Sequence, residues 1–256
     1  MFESIGYGPC VLVIPARRRS QRLPGKMLLR ETGRTVVQHT YEAACRAELP
    51  DAVVVATDDA EIADEARGFG APVVMTNPDC PSGTDRVAEA VGKMPAAELV
   101  VNLQGDEPEI DPCAIDRLIE SLRESPESSM ATLAAPIRER AKLFDPSCVK
   151  VVFDESGKAI YFSRSPVPHP REWHDKLLTA EPPAFFQHIG VYAYRRELLL
   201  GLSKLPVGRL EKLEKLEQLR VLESGRTIEV VEIDHAVAGI DTPEDYAEFV
   251  ERRRAG

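Results

Sequence analysis

Residues 11–28, VLVIPARRRSQRLPGKML, decide how this chain folds. The apolar run Val11–Pro15 is too short for a helix and rich in β-branched residues, so it reads as a buried strand. It ends abruptly in a loop carrying Arg17, Arg18, Arg19, Arg22 and Lys26, with Pro24-Gly25 as its turn. Five cations in ten residues stand out in a chain of formal net charge −10. A buried strand feeding a basic, glycine-punctuated loop is a common way for an α/β protein to hold phosphates. The competing reading is a solvated basic loop. GxxxxGK[ST] and GxGxxG are both absent, so neither a Walker loop nor a dinucleotide fingerprint is present.

Outward from this segment, strands alternate with helices. Apolar runs at Ala52–Thr57, Pro72–Met75 and Leu99–Leu103 resemble the first strand, and helical stretches at Thr35–Arg46, Asp59–Phe69 and Thr84–Lys93 separate them. That order predicts a mainly parallel sheet with helices on both faces. The second half is less regular. Val149–Phe153 and Lys158–Ser163 read as a hairpin about a Gly157 turn, followed by a strand at Phe185–Tyr194, a helix at Leu210–Glu223 and a strand at Thr227–Glu232. Thr242 and Pro243 supply the N-cap and first turn of a last helix through Arg253. Five prolines make Ser163–Pro183 irregular, an excursion from one domain.

Composition bounds the function. The 256 residues are 43% hydrophobic and 29% charged, as in a soluble globular protein with an ample core. The acidic balance argues against a general nucleic-acid binder. No apolar window reaches membrane-spanning length and the N-terminus does not read as a secretory signal, so a cytoplasmic location without membrane contact is the expectation. Cys10, Cys45, Cys80, Cys113 and Cys148 form no CxxC pair and share no flanks, so reduced structural thiols are expected instead of a zinc site or repeat.

Four polar clusters fall where predicted strands end or helices begin: the basic loop, Ser82-Gly83-Thr84-Asp85-Arg86, Gln104-Gly105-Asp106-Glu107-Pro108, and Gly239-Ile240-Asp241. Each alone reads as a cap or a turn. Their shared placement shifts the reading toward a ligand site, because open α/β sheets bind ligands beyond the carboxyl ends of their strands.

The segments IPARRRSQRLPGK, ATDD, SGTDR, NLQGDEP, YFSRSPVP, HIGVYAYR, LEKLEQLR and GIDTPED occur in the order seen in the 3-deoxy-D-manno-octulosonate cytidylyltransferases, the CMP-Kdo synthetases. The resemblance runs from Val11 to about Val250. It implies a Rossmann-like three-layer αβα sandwich with a mostly parallel, mixed sheet of the nucleotide-diphospho-sugar transferase type. It also implies one nucleotidyltransferase domain over 1–256, with a dimerisation excursion at about 136–185 and a homodimer as the assembly. The implied reaction joins CTP and Kdo into CMP-Kdo and pyrophosphate for lipopolysaccharide, with Mg²⁺ as cofactor. Alternatives are the same transfer to an 8-amino Kdo analogue or a sialic acid, or an inactive nucleotide-sugar-binding relative.

By the same resemblance, Lys26, Arg22, Asp106 and Asp241 are the catalytic positions. Ala16, Arg17, Arg22, Lys26, Ser82, Gly83 and Asp106 would bind CTP, and Asp106 and Asp241 the metal. Arg86, Gln104, His188, Tyr192, Glu214 and Glu217 would bind the sugar acid. Arg18 and Arg19 are expected to be solvated, and Arg164 to serve the site or local folding. The glutamates have a separate argument: on one continuous helix Glu214 and Glu217 lie about 60° apart, on a side shared with Leu210, Leu213 and Val221. The competing pattern is surface pairing of Glu211 with Lys215.

Overall fold

The computed structural model describes residues 7–18, 22–236 and 239–255; Arg19 lies outside them. The chain divides into two compact units. The first combines the described residues up to Asp116 with Arg195–Leu200 and residues 239–255; the second combines Arg117–Tyr194 with Gly201–Ala236.

The first unit opens on β1 (Cys10–Ala16) and continues through α1 (Val36–Ala44), β2 (Ala52–Thr57), α2 (Ala60–Gly68), β3 (Val73–Met75), α3 (Gly83–Gly92) and β4 (Leu99–Asn102). The strands are parallel in the order β3-β2-β1-β4. Strand β1 is buried along its whole length, as its unbroken apolar run predicts for a central parallel strand. Full burial of Val11, Leu12, Val13 and Ile14 contributes on the order of 1.5–3 kcal/mol each, which anchors the loop that follows. The helices begin where short polar side chains can take an orphan N–H: Thr35 accepts from Gln38, Asp59 from Ile62, and Ser82 from Asp85.

The chain passes into the second unit within α4 (Pro112–Glu124). Elements β5 (Met130–Pro136), α5 (Arg140–Phe144), β6 (Lys150–Phe153), β7 (Ala159–Ser163) and β8 (Phe186–Arg195) follow; α6 (Arg196–Leu202) belongs mostly to the first unit, and α7 (Arg209–Glu214), α8 (Gln218–Glu223) and β9 (Ile228–Glu232) to the second. Here the sheet is mixed: β5 runs antiparallel to β8 and parallel to β9, while β6 pairs antiparallel with β7 and β8. The expected class, a mixed and mostly parallel sheet flanked by helices, is the class observed. The Pro-rich excursion carries a 3-10 turn at Asp175–Thr179.

The expected helix over Leu210–Glu223 is broken. Lys215 takes a left-handed conformation (φ 54°) and closes α7, and α8 starts again after Glu217. Leu216, at the break, turns inward and is buried, while Leu213 is 74% exposed. Glu214 and Glu217 therefore do not share a face of one helix, and Leu213 is not on a buried side. Nor does Glu211 pair with Lys215; its carboxylate is buried against the Arg220 guanidinium at 2.5 and 2.6 Å. The physical reason is burial: Leu216 turns into the core, with Glu211 meeting Arg220 nine residues on, and burying that leucine outweighs the helical propensity of LEKLEKLE.

Helix α9 (Pro243–Ala255) returns to the first unit, where Tyr246, Phe249 and Val250 pack with Val36 and Ile240. The Asp245 N–H donates to Thr242 Oγ1 at 3.1 Å, and Asp245 Oδ2 in turn accepts from the N–H of Thr242 and Asp241. The cap expected at Thr242 is thus present, and it leaves the Asp241 carboxylate to point elsewhere.

Candidate active site

Strand order reverses between β1 and β4, and a cleft of about 340 Å³ lies at their carboxyl ends, within the first unit. Pro15 and Gln104 come from the strand ends, Arg17, Arg22 and Lys26 from the basic loop, and Gly83 and Arg86 from α3. Asp106 and Asp241 complete the wall. Nine of the expected nucleotide, metal and sugar positions were drawn from these four sequence clusters, and most of them meet here.

The floor is organised by Lys26. Gly25 has φ 69°, a left-handed conformation that a side chain would disfavour, and it starts a 3-10 turn that drives Lys26 inward. The Lys26 ammonium, almost fully buried, donates to Asp106 Oδ2, to the Ile240 carbonyl at 2.9 Å and to Asp241 Oδ1 at 3.0 Å. Burial alone would lower its pKa, but Asp106 and Asp241 raise it on balance, so the cation persists at neutral pH. Arg22 reaches the other Asp241 oxygen at 2.8 Å. Beside them Glu107 is pushed up to about 8, by burial first and then by the Asp106 and Asp241 charges. A carboxyl so placed is mostly protonated at pH 7.

The opposite wall holds Gln104 and Arg86. The Gln104 amide nitrogen donates to Asn102 Oδ1 at 3.1 Å, and its oxygen lies against Gly83. A Cβ at Gly83 would stand 3.2 Å from that oxygen, so the glycine gives the amide its room. Arg86 is 4% exposed, with Nη1 donating to Thr76 Oγ1 and Nη2 lying 3.0 Å from Asp58 Oδ1. Asp58, Thr76 and Glu107 had no role assigned from sequence. For Asp58 a signal existed in the ATDD segment and for Glu107 in the GDEP cluster; for Thr76 nothing local marks it.

Other expected positions fall differently. Ala16 is fully buried at the end of β1, and Ser82 serves as the α3 cap, donating to Asp85 Oδ2 as well. Their side chains do not line the cleft, though their backbones adjoin Arg17 and Gly83. Arg18 is exposed and pairs with Glu61 at 2.5 Å, as a solvated charge should.

His188, Tyr192, Glu214 and Glu217 belong to the second unit. His188 is buried in an aromatic cluster, 5.0 Å from the Phe162 ring and 5.4 Å from Tyr192, with Thr132 Oγ1 at 3.0 Å from its Nε2. Burial pushes its pKa down to about 3, so the ring is neutral. Burial also raises the Tyr192 hydroxyl, and the Glu217 carboxylate adds to that rise. His188 and Tyr192 thus share one ring cluster, on which the charge of Glu217 acts. Glu214 is occupied locally: it accepts from Ser163 Oγ at 2.7 Å and the Arg164 N–H at 3.0 Å, while Arg164 Nε donates to its carbonyl at 2.7 Å. Arg164 thus has a folding role in joining β7 to α7.

For a divalent cation the donor chemistry fits. Two hard carboxylates converge on one nitrogen, and among the described residues no group of three or more His, Cys, Asp or Glu is placed to hold a metal. Two carboxylates are the kind of donor Mg²⁺ takes, since it uses one or two of them and completes its octahedron with water and phosphate oxygens. The described cysteines are all free, and among the described residues no helix is long and apolar enough to cross a membrane.

The family model described as Cytidylyltransferase matches residues 11–228. A Rhodopirellula baltica protein named 3-deoxy-manno-octulosonate cytidylyltransferase is 49% identical over 244 residues, 95% of this chain and 98% of its own length. A Shewanella sediminis protein named 8-amino-3,8-dideoxy-manno-octulosonate cytidylyltransferase is 47% identical over 237 residues, 91% of this chain and 94% of its own. A solved structure described as CMP:2-keto-3-deoxy-manno-octonic acid synthetase complexed with CTP aligns with TM-score 0.89 at 40% identity, over 97% of this chain and 99% of that one.

Proposed function

The chain belongs to the cytidylyltransferase family, and from that premise we propose that it transfers the cytidylyl group of CTP to the anomeric hydroxyl of 3-deoxy-D-manno-octulosonate (Kdo). The hydroxyl oxygen forms a bond to the α-phosphorus and releases its proton to solvent, the bond from that phosphorus to the bridging oxygen breaks, and pyrophosphate leaves. Such transfer needs an aligned nucleophile and neutralised charge more than it needs a covalent nucleophile from the protein. The observation that carries the reading is the cleft itself, where Lys26 is fixed between Asp106 and Asp241 at the point of strand reversal.

In that cleft Arg17, Arg22 and Lys26 offset the negative charge of a triphosphate, and Lys26, already held in place, reorganises little as charge shifts toward the leaving group. Asp106 and Asp241 would hold Mg²⁺, which supplies charge neutralisation and orientation of the phosphates when bound. Arg86 offers a guanidinium to a sugar carboxylate, and Gln104 an amide to its hydroxyls.

The expected result with purified protein, Mg²⁺ and Kdo is pyrophosphate release that is at least about tenfold faster with CTP than with ATP, GTP or dTTP. Equal rates with all four would overturn the cytidylyl assignment. Kdo is placed ahead of its 8-amino analogue because relatives named for Kdo reach 49% identity and those named for the analogue 47%; parallel titrations of both sugars decide between them. A narrower test concerns Glu217→Gln. The resemblance assigns Glu217 to the sugar, so the variant should raise the KM for Kdo about fivefold or more and leave the Mg²⁺ requirement as it was. An unchanged Kdo KM removes Glu217 from the sugar site.

A further inference from the structure

We propose that Asp58, with Thr76, is the positioning residue that aims Arg86 into the cleft and so sets recognition of the acid sugar's carboxylate. This rests on the sugar-acid reading above and extends it to residues outside the cleft wall. ATDD, residues 56–59, is otherwise only half explained. Asp59 caps α2, and Thr57 Oγ1 accepts the Asp59 N–H at 3.1 Å, but Asp58 contributes to neither.

Its side chain instead turns toward Arg86. Arg86 rises from the first turns of α3 to line the cleft, and its guanidinium is held by residues just past two strand ends. Thr76, just past β3, accepts from Nη1, and Asp58, just past β2, stands 3.0 Å from Nη2. An arginine side chain has several rotatable bonds, and holding its planar head in one orientation costs conformational entropy. Two fixed partners on the sheet remove most of that freedom before a ligand arrives, which is how an anchored guanidinium gains affinity.

The Asp58 carboxylate is suited to this task by charge more than by hydrogen bonding. Its Oδ1 is buried and accepts no aligned hydrogen bond among the described residues. The charge of Arg86, itself 4% exposed, is what compensates it. A buried carboxylate oxygen kept in that state is costly unless the cation stays opposite, so each group constrains the other. Asp58 does not line the cleft and would not touch the sugar. It acts through Arg86.

The test is steady-state kinetics on the full-length protein with CTP, Mg²⁺ and Kdo, for Asp58→Asn, Arg86→Gln and the double variant, with thermal transitions recorded alongside. Wild-type turnover with Kdo is the control for the reaction itself; its absence counts against the function proposed above, and the comparison among variants is then made on Kdo binding by calorimetry. Asp58→Asn should raise the Kdo KM, or weaken Kdo binding, about tenfold while the CTP KM stays within about twofold. In the Arg86→Gln background the same substitution should add less than about twofold, because both changes remove one interaction. Multiplying effects, an unchanged Kdo response, or a shift in CTP instead of Kdo would each overturn the proposal. If Asp58→Asn loses its thermal transition, Thr76 carries the same test: Thr76→Val should raise the Kdo KM and Thr76→Ser, which keeps the hydroxyl, should restore it. Equal behaviour of those two variants would also overturn it.

Discussion

Replacing Lys26 by alanine is expected to lower turnover by about 10²-fold or more, with the fold retained. The ammonium touches Asp106, Asp241 and the Ile240 carbonyl together, so its loss removes both a cation facing the triphosphate and the tie between two aspartates. Asp106 and Asp241 would then repel each other across the vacated position, and Glu107, which Lys26 pulls downward, would hold its proton still more tightly. The cost in stability is expected to be about 1–3 kcal/mol, less than for a fully buried pair, because Asp241 is half-exposed and water screens it. Pyrophosphate release and a melting curve on Lys26→Ala check both parts. Wild-type turnover in the folded variant would return residues 17–26 to a solvated basic loop.

Asp106→Asn and Asp241→Asn are expected to depress turnover by about tenfold or more and to raise the Mg²⁺ concentration for half-maximal rate. The amide keeps the side chain's shape but removes the negative charge that a hard divalent cation prefers. With one carboxylate gone, the cation would be held mainly by the nucleotide, so its apparent affinity should come to depend on CTP concentration. Asp106 is expected to give the larger effect, its side chain being 20% exposed against 48% for Asp241. A Mg²⁺ titration at saturating CTP on the folded variants decides. A wild-type curve for Asp241→Asn would leave that residue as the partner of Lys26 and Arg22 alone.

Much of this was legible in the order of residues because its causes are local. The apolar run before the basic loop could be nothing but a buried strand, and Thr35, Asp59, Ser82 and Thr242 each cap a helix through an N–H three residues away. The Gly25 turn is equally local. Four elements escaped, the short helices α5 and α6 among them. Met130–Pro136 is a buried strand written largely in alanine and threonine, with little β signature, and α4 went unplaced although Ile115, Leu118, Ile119 and Leu122 keep a helical spacing.

What tertiary structure alone decided is which charges meet. Lys26 and Asp241 are 215 residues apart, and no periodicity links them; they touch because a left-handed glycine and a helix cap turn both side chains into one cleft. The break at Lys215 has the same origin. Residues 209–223 favour one helix by propensity, worth tenths of a kcal/mol per residue. The pairing of Glu211 with Arg220 and the burial of Leu216 outweigh it. Local preference set the elements of this protein, and the larger energies of burying charge and apolar surface set the partners.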